Sequence, residues 1–189
     1  MQNIIEDQTI QKEDWSGEKR ESFEISNCVF NGCNFTETDF TGTKFIECVF
    51  DGCNFSNSKI VNCSFCDVVF TECKISGVVF GEINKFLLSW KFHDCAVKLC
   101  SFSMLDIKNS AFVGCEIHET DFVDSDLTGS DFANSDLKGS KFHNANLSKA
   151  NFVGAVNYYI DPTANKIAKA KFSSPEVMSL LAGFDIIIS

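Results

Sequence analysis

Few residues in this chain of 189 have the type and spacing for chemistry. Cys63-x-x-Cys66 has the spacing of a zinc or thiol–disulfide pair. His93, His118 and His143 recur every 25 residues, and imidazole is a common metal ligand and proton carrier. Between Asn109 and Leu137 stand Glu116, Glu119, Asp121, Asp124, Asp126, Asp131 and Asp136, with no Lys or Arg among them. Such a run either lines a solvated face or offers a negative surface to a basic groove. No glycine-rich phosphate loop occurs, and no Ser/His/Asp set has a supporting context. The sequence therefore reads as a non-enzyme, without cofactor or metal, unless the elements bring these groups together.

Those elements follow from an internal repeat. Large apolar residues stand five apart from Phe30 through Phe35, Phe40 and Phe45 to Phe80, and again, in a new phase, from Val97 through Phe102 and Ile107 to Phe152. Two residues before each centre sits a small residue, and nine of the ten cysteines occupy that slot. A five-residue period keeps its side chains on one side of neither a helix nor a strand. If each quintet turns the chain by about a right angle, four close a square coil of 20 residues, and coils stack at about 4.8 Å. Centres and small residues then point inward, and residues 20 apart become neighbours in a solenoid. Cys63 takes an inward slot while Cys66 points elsewhere, so they do not share a metal. The histidines, one coil plus one face apart, spiral around the rod.

The quintets Cys28-Val29-Phe30-Asn31-Gly32 and Ser125-Asp126-Leu127-Thr128-Gly129 resemble the A(D/N)LXX pattern of pentapeptide repeat proteins. The resemblance implies an all-β fold, a right-handed quadrilateral β-helix. It spans 27–172, flanked by an N-terminal cap over 1–26 and a C-terminal helix and apolar tail over 173–189. The phase change between Phe80 and Val97 predicts a bulge or loop in Gly81 to Lys91, with Lys85, Phe86, Leu87, Leu88 and Trp90 as its candidate surface. Trp90 reads as too large for an inward small slot. Ser173, Pro175 and Glu176 predict a capped helix, stopped by Gly183. Val177, Met178, Leu180, Leu181, Phe184, Ile186 and Ile188 then form a candidate dimer interface.

Sixteen basic against 26 acidic side chains give a net charge of −10, which argues against a nucleic-acid-binding surface. No apolar stretch is long enough to span a membrane, and Met1 to Ile10 carries acids where a signal peptide would be apolar, so a cytoplasmic protein with reduced thiols is expected. The acidic run covers one full turn and predicts a belt. Asp106 beneath Asp126, and Glu116 beneath Asp136, add like charges at strand spacing. Size, phase break and tail resemble the quinolone-resistance (Qnr-like) and microcin-immunity subgroup. That resemblance implies a DNA-mimicking homodimer that binds a type II topoisomerase, DNA gyrase or topoisomerase IV, and protects it from quinolones or peptide toxins. The alternative is a structural or regulatory scaffold with an unrelated protein partner.

Overall fold

The computed structural model describes residues 3–86, 88–184 and 186–187. The chain winds into the expected right-handed quadrilateral β-helix, with parallel ladders joining successive coils on four faces. Face 1 carries the centres Ile5, Ile25, Phe45 and Phe65, and beyond the break Ile107, Leu127 and Leu147. Face 2 runs from Ile10 through Phe30, Phe50, Phe70, Phe92, Phe112 and Phe132 to Phe152 and Phe172. Face 3 runs from Trp15 to Leu137, and face 4 from Arg20 through Phe80, Phe102 and Phe122 to Phe142. The eight steps of face 2 make a rod about 38 Å long at strand spacing.

Three slots of each quintet explain the composition. Phenylalanine suits the centre because its ring stacks on the coil below and meets the neighbouring face edge-on. Phe122 lies 5.2 Å from Phe102 and 5.1 Å from Phe142, nearly parallel to both, while Phe112 and Phe132 stand almost perpendicular to it. The small slot holds hydrogen-bond donors rather than inert filler. Cys53 Sγ donates to the Phe30 carbonyl, Ser58 Oγ to that of Phe35 and Ser135 Oγ to that of Phe112, each reaching one coil back. This satisfies both a buried donor and a buried carbonyl. The third slot, two residues after the centre, turns the corner through the left-handed region, with φ from 50° to 74° from Asp7 through Gly154. Asn, Asp and Gly tolerate that conformation. At Gly154 a Cβ would also collide with the Asn134 amide directly below.

Two boundaries differ from the sequence expectation. The segment read as an N-terminal cap is itself a coil, with Asn3–Glu6 paired to Phe23–Ser26 and Thr9–Gln11 to Val29–Asn31. Its centres Ile5, Ile10, Trp15 and Arg20 keep the phase of Phe30. They escape the Phe pattern because Arg20 takes a centre position and lies over the Trp15 ring at 4.3 Å. At the other end Glu176–Leu181 is a 3-10 helix without a side-chain cap, following a cis Ser174-Pro175 bond. The expected capping box does not form, because Ser173 Oγ accepts from the Gly154 amide and so completes the ladder instead.

The two extra residues of the phase break fall between Phe80 and Trp90. Phe92 stacks on Phe70, and Phe102 on Phe80, each pair 22 residues apart, while the ladders of faces 2 and 3 continue unbroken and that of face 4 lapses between Lys59 and Val79 before resuming at Ser101. The sheet on face 1 ends at Ser64–Cys66. Trp90 does not belong to the loop. It opens the strand Trp90–His93, is 2% exposed, and takes the small slot directly over Val68. The indole fits there because it packs among Phe65, Phe80, Phe92 and Phe102, in the space left beside a face whose coil supplies no phenylalanine centre.

Candidate partner-binding surface

The groups with metal or redox spacing are held apart. Cys63 is buried and donates to the Phe40 carbonyl at 2.9 Å, whereas Cys66 is half-buried on the outside of face 1. Burial pushes Cys48 and Cys100 up to about 11 and Cys63 to about 12, so these thiols stay protonated at neutral pH. Cys33, Cys53, Cys73, Cys95 and Cys115 stack as one interior column, and each donates to a backbone carbonyl of an earlier coil. His93, His118 and His143 lie on faces 2, 3 and 4. Among the described residues, no group of three or more His, Cys, Asp or Glu side chains is arranged to hold a metal ion.

The acids do encircle the rod. Asp106 and Asp126 lie on face 1, Asp131 on face 2, Glu116 and Asp136 on face 3, and Asp121 on face 4. Glu119 and Asp124 occupy the corners on either side of face 4. All are exposed or half-exposed. Most also serve the coil. The carboxylates of Asp126, Asp131 and Asp136 each accept the amide two residues on, which fixes the corner, and Asn146, Asn151 and Asn157 on the next coil donate to them in turn. Burial works to raise the Asp126 carboxyl. The Thr128 hydroxyl and amide, helped by Lys108, outweigh it and hold the group below the usual carboxylate range.

Nor are the stacked like charges left bare. Lys108 bridges Asp106 and Asp126. Lys98 pairs with Glu116 at 2.7 Å, and His118 Nε2 lies 3.1 Å from Asp136. Lys141 stands 3.5 Å from Asp121. The sequence run lacks a base because its counter-charges come from adjoining coils. The signal was available: the residues just before and just after a centre point out of the same face, so Lys108 and Asp106 had to be neighbours. Among the described residues Glu119, Asp124 and Asp131 have no ion pair.

The loop candidates divide. Phe86 is 72% exposed, Lys85 is exposed and donates to the Met104 carbonyl at 2.9 Å, and Leu88 is half-buried against the core. Leu87 lies outside the described residues. At the C-terminus Val177 and Leu180 are half-buried, while Met178, Leu181, Phe184, Ile186 and Ile187 are exposed. Ile188 lies outside the described residues. Phe184, Ile186 and Ile187 are in no strand. Among the described residues no helix is long and apolar enough to cross a membrane.

Comparison with known proteins agrees with this geometry. HetL, a protein involved in heterocyst differentiation regulation in the cyanobacterium Nostoc, superposes with a TM-score of 0.70 at 13% identity, over 89% of this chain and 84% of HetL. QnrB1, a plasmid-mediated fluoroquinolone resistance protein, superposes with a TM-score of 0.62 at 17% identity over the whole of both chains. No curated protein sequence matches the chain. The model of the pentapeptide repeat region matches residues 23–85 and 86–155, dividing inside the segment where the coil gains its two extra residues. The chain belongs to the pentapeptide repeat family.

Proposed function

We propose that this chain is a non-enzymatic binding protein that occupies the basic, DNA-binding groove of a type II topoisomerase such as DNA gyrase, and so protects it from quinolones or a peptide toxin. The observation that carries this reading is the ring of outward carboxylates, Glu119, Asp124 and Asp131 among them without a counter-ion, on a rod about as long as one turn of duplex DNA. Residues 27 to 172 hold 17 acids and 13 bases, against roughly 20 phosphate charges for a duplex of similar length. The mimicry thus rests on shape and on the local ring rather than on total charge. The described apolar side chains of the C-terminal segment, Met178, Leu181, Phe184 and Ile186, make a two-fold homodimer contact.

A scaffold with an unrelated partner is the second reading. It is favoured by the turn and ion-pair duties of Asp106, Asp126 and Asp136, which account for much of the ring without any partner.

Supercoiling by purified gyrase, with and without a quinolone, separates the two as this protein is titrated in. Restored supercoiling in the presence of drug supports the first reading. No effect on gyrase and no binding to it removes that reading.

A further inference from the structure

The corner slot singles out two residues. Every other non-glycine corner in the left-handed region is Asn, Asp, Glu, Lys or Ser, but Leu99 and Met104 hold it at φ 56° and 59° with large apolar side chains. Both point into solvent, 61% and 65% exposed. They flank face 4 of one coil, and between them, one step down under Ser101, lies Val79, 47% exposed. Val79 and Val61 line a shallow groove on the same face, together with Lys59 and Glu82. Lys85 ties the loop to the Met104 carbonyl, while Phe86 lies on face 1 beside Ile46 and Cys66. Strained backbone and exposed hydrocarbon thus coincide at one level of the rod, where either alone would be selected against on stability grounds.

The next coil supplies charge. Glu119 stands over Leu99 and Asp124 over Met104, neither in an ion pair among the described residues. Asp121 lies between them and is paired to Lys141. The surface is therefore apolar on one coil and anionic on the next, about 4.8 Å away.

We propose that the Leu99–Val79–Met104 patch is a docking surface for a protein segment that presents aliphatic or aromatic side chains beside lysines or arginines, the apolar groups seating on face 4 and the cations on Glu119 and Asp124. The proposal rests on the topoisomerase reading and gives that contact an apolar anchor the carboxylate ring lacks.

The test is the double variant Leu99→Asn/Met104→Asn, because asparagine suits the left-handed corner and removes the hydrocarbon without touching the charges. Binding of purified DNA gyrase to fluorescently labelled protein is measured across a salt series, beside thermal melting and light scattering. The expected result is a melting temperature at or above that of the wild type, at least a tenfold loss of gyrase affinity, and an unchanged salt dependence. A second variant, Glu119→Gln/Asp124→Asn, is expected to flatten the salt dependence. Affinity of the double variant within twofold of wild type overturns the proposal while leaving the topoisomerase reading intact. A wild-type protein that does not bind gyrase at all overturns that reading, and the proposal with it. Loss of self-association in the double variant, with gyrase binding retained, marks the patch as a contact between copies and also overturns the proposal.

Discussion

Lys108 stands between two carboxylates one coil apart, its ammonium 2.7 Å from Asp106 and 3.5 Å from Asp126. Replacing it by Met keeps the stem and removes the bridge, leaving two like charges at strand spacing. Lys108→Met is expected to lower the melting temperature at low ionic strength, with the difference shrinking as salt is added. Equal melting at both salt levels would show that the bridge has no energetic consequence.

Phe122→Ala removes a ring stacked on Phe102 and Phe142 and enclosed by Phe112 and Phe132, and should cost about 3 to 5 kcal/mol in urea unfolding. Phe122→Leu should cost considerably less, since most of the volume is kept. A loss below about 1 kcal/mol for the alanine variant would contradict the burial of this centre.

Acid should weaken the corners. Asp39 and Asp126 sit below the usual carboxylate range, Asp39 chiefly through the Thr41 hydroxyl and Asp126 because hydrogen bonds and Lys108 outweigh its burial; burial also opposes the lowering at Asp136, where Asn157 and His118 prevail. A group depressed in the folded state contributes stability above its unfolded pKa and loses it as pH falls through the folded value. Unfolding midpoints should therefore be insensitive to these groups at neutral pH and decline below about pH 4. Asp126→Asn should reduce the decline, and an unchanged acid limb would show that this carboxylate is not linked to folding.

Thiol accessibility divides the ten cysteines. Cys66 alone is half-exposed, and the other nine are buried donors to the backbone. Native protein should take up one equivalent of a mild alkylating reagent, at Cys66, and ten after unfolding. Its thiol is itself pushed up, first by partial desolvation and then by Asp67, so labelling should accelerate towards alkaline pH. Rapid labelling of several thiols in native buffer would be incompatible with the inward column.

Removing residues 184–189 tests the proposed two-fold contact. The truncated chain keeps the 3-10 helix Glu176–Leu181 and should sediment as a monomer with an unaltered melting curve. An intact chain that is already monomeric at micromolar concentration would exclude the contact.

The interior was legible because its period is insensitive to detail: a Phe, Ile or Leu every fifth residue marks an inward centre whichever coil it occupies. The first described coil escaped that reading because Ile5, Ile10, Trp15 and Arg20 keep the spacing without the residue type. Trp90 was misread on volume, since its room comes from what the adjoining face of the coil lacks, a fact the quintet centred on Phe92 does not contain. The carboxylate ring was visible as a run, but its counter-charges lie 18 to 20 residues away in sequence, at Lys98, Lys108 and Lys141. The corner slot was written in the sequence at every fifth position, and its two apolar exceptions stand out once the left-handed backbone is known.

The two extra residues near Lys85 leave the ladders of faces 2 and 3 uninterrupted, with Phe92 on Phe70 and Phe102 on Phe80 as though no break existed. Coil length is thus not a conserved quantity of this architecture; only the vertical neighbour relation is. Because the entropy of closing a surface loop rises slowly with its length, that side of the coil can accept a longer segment without shearing the rod. It is the place where a foreign epitope or a second binding element could be grafted while the stack on either side keeps its register.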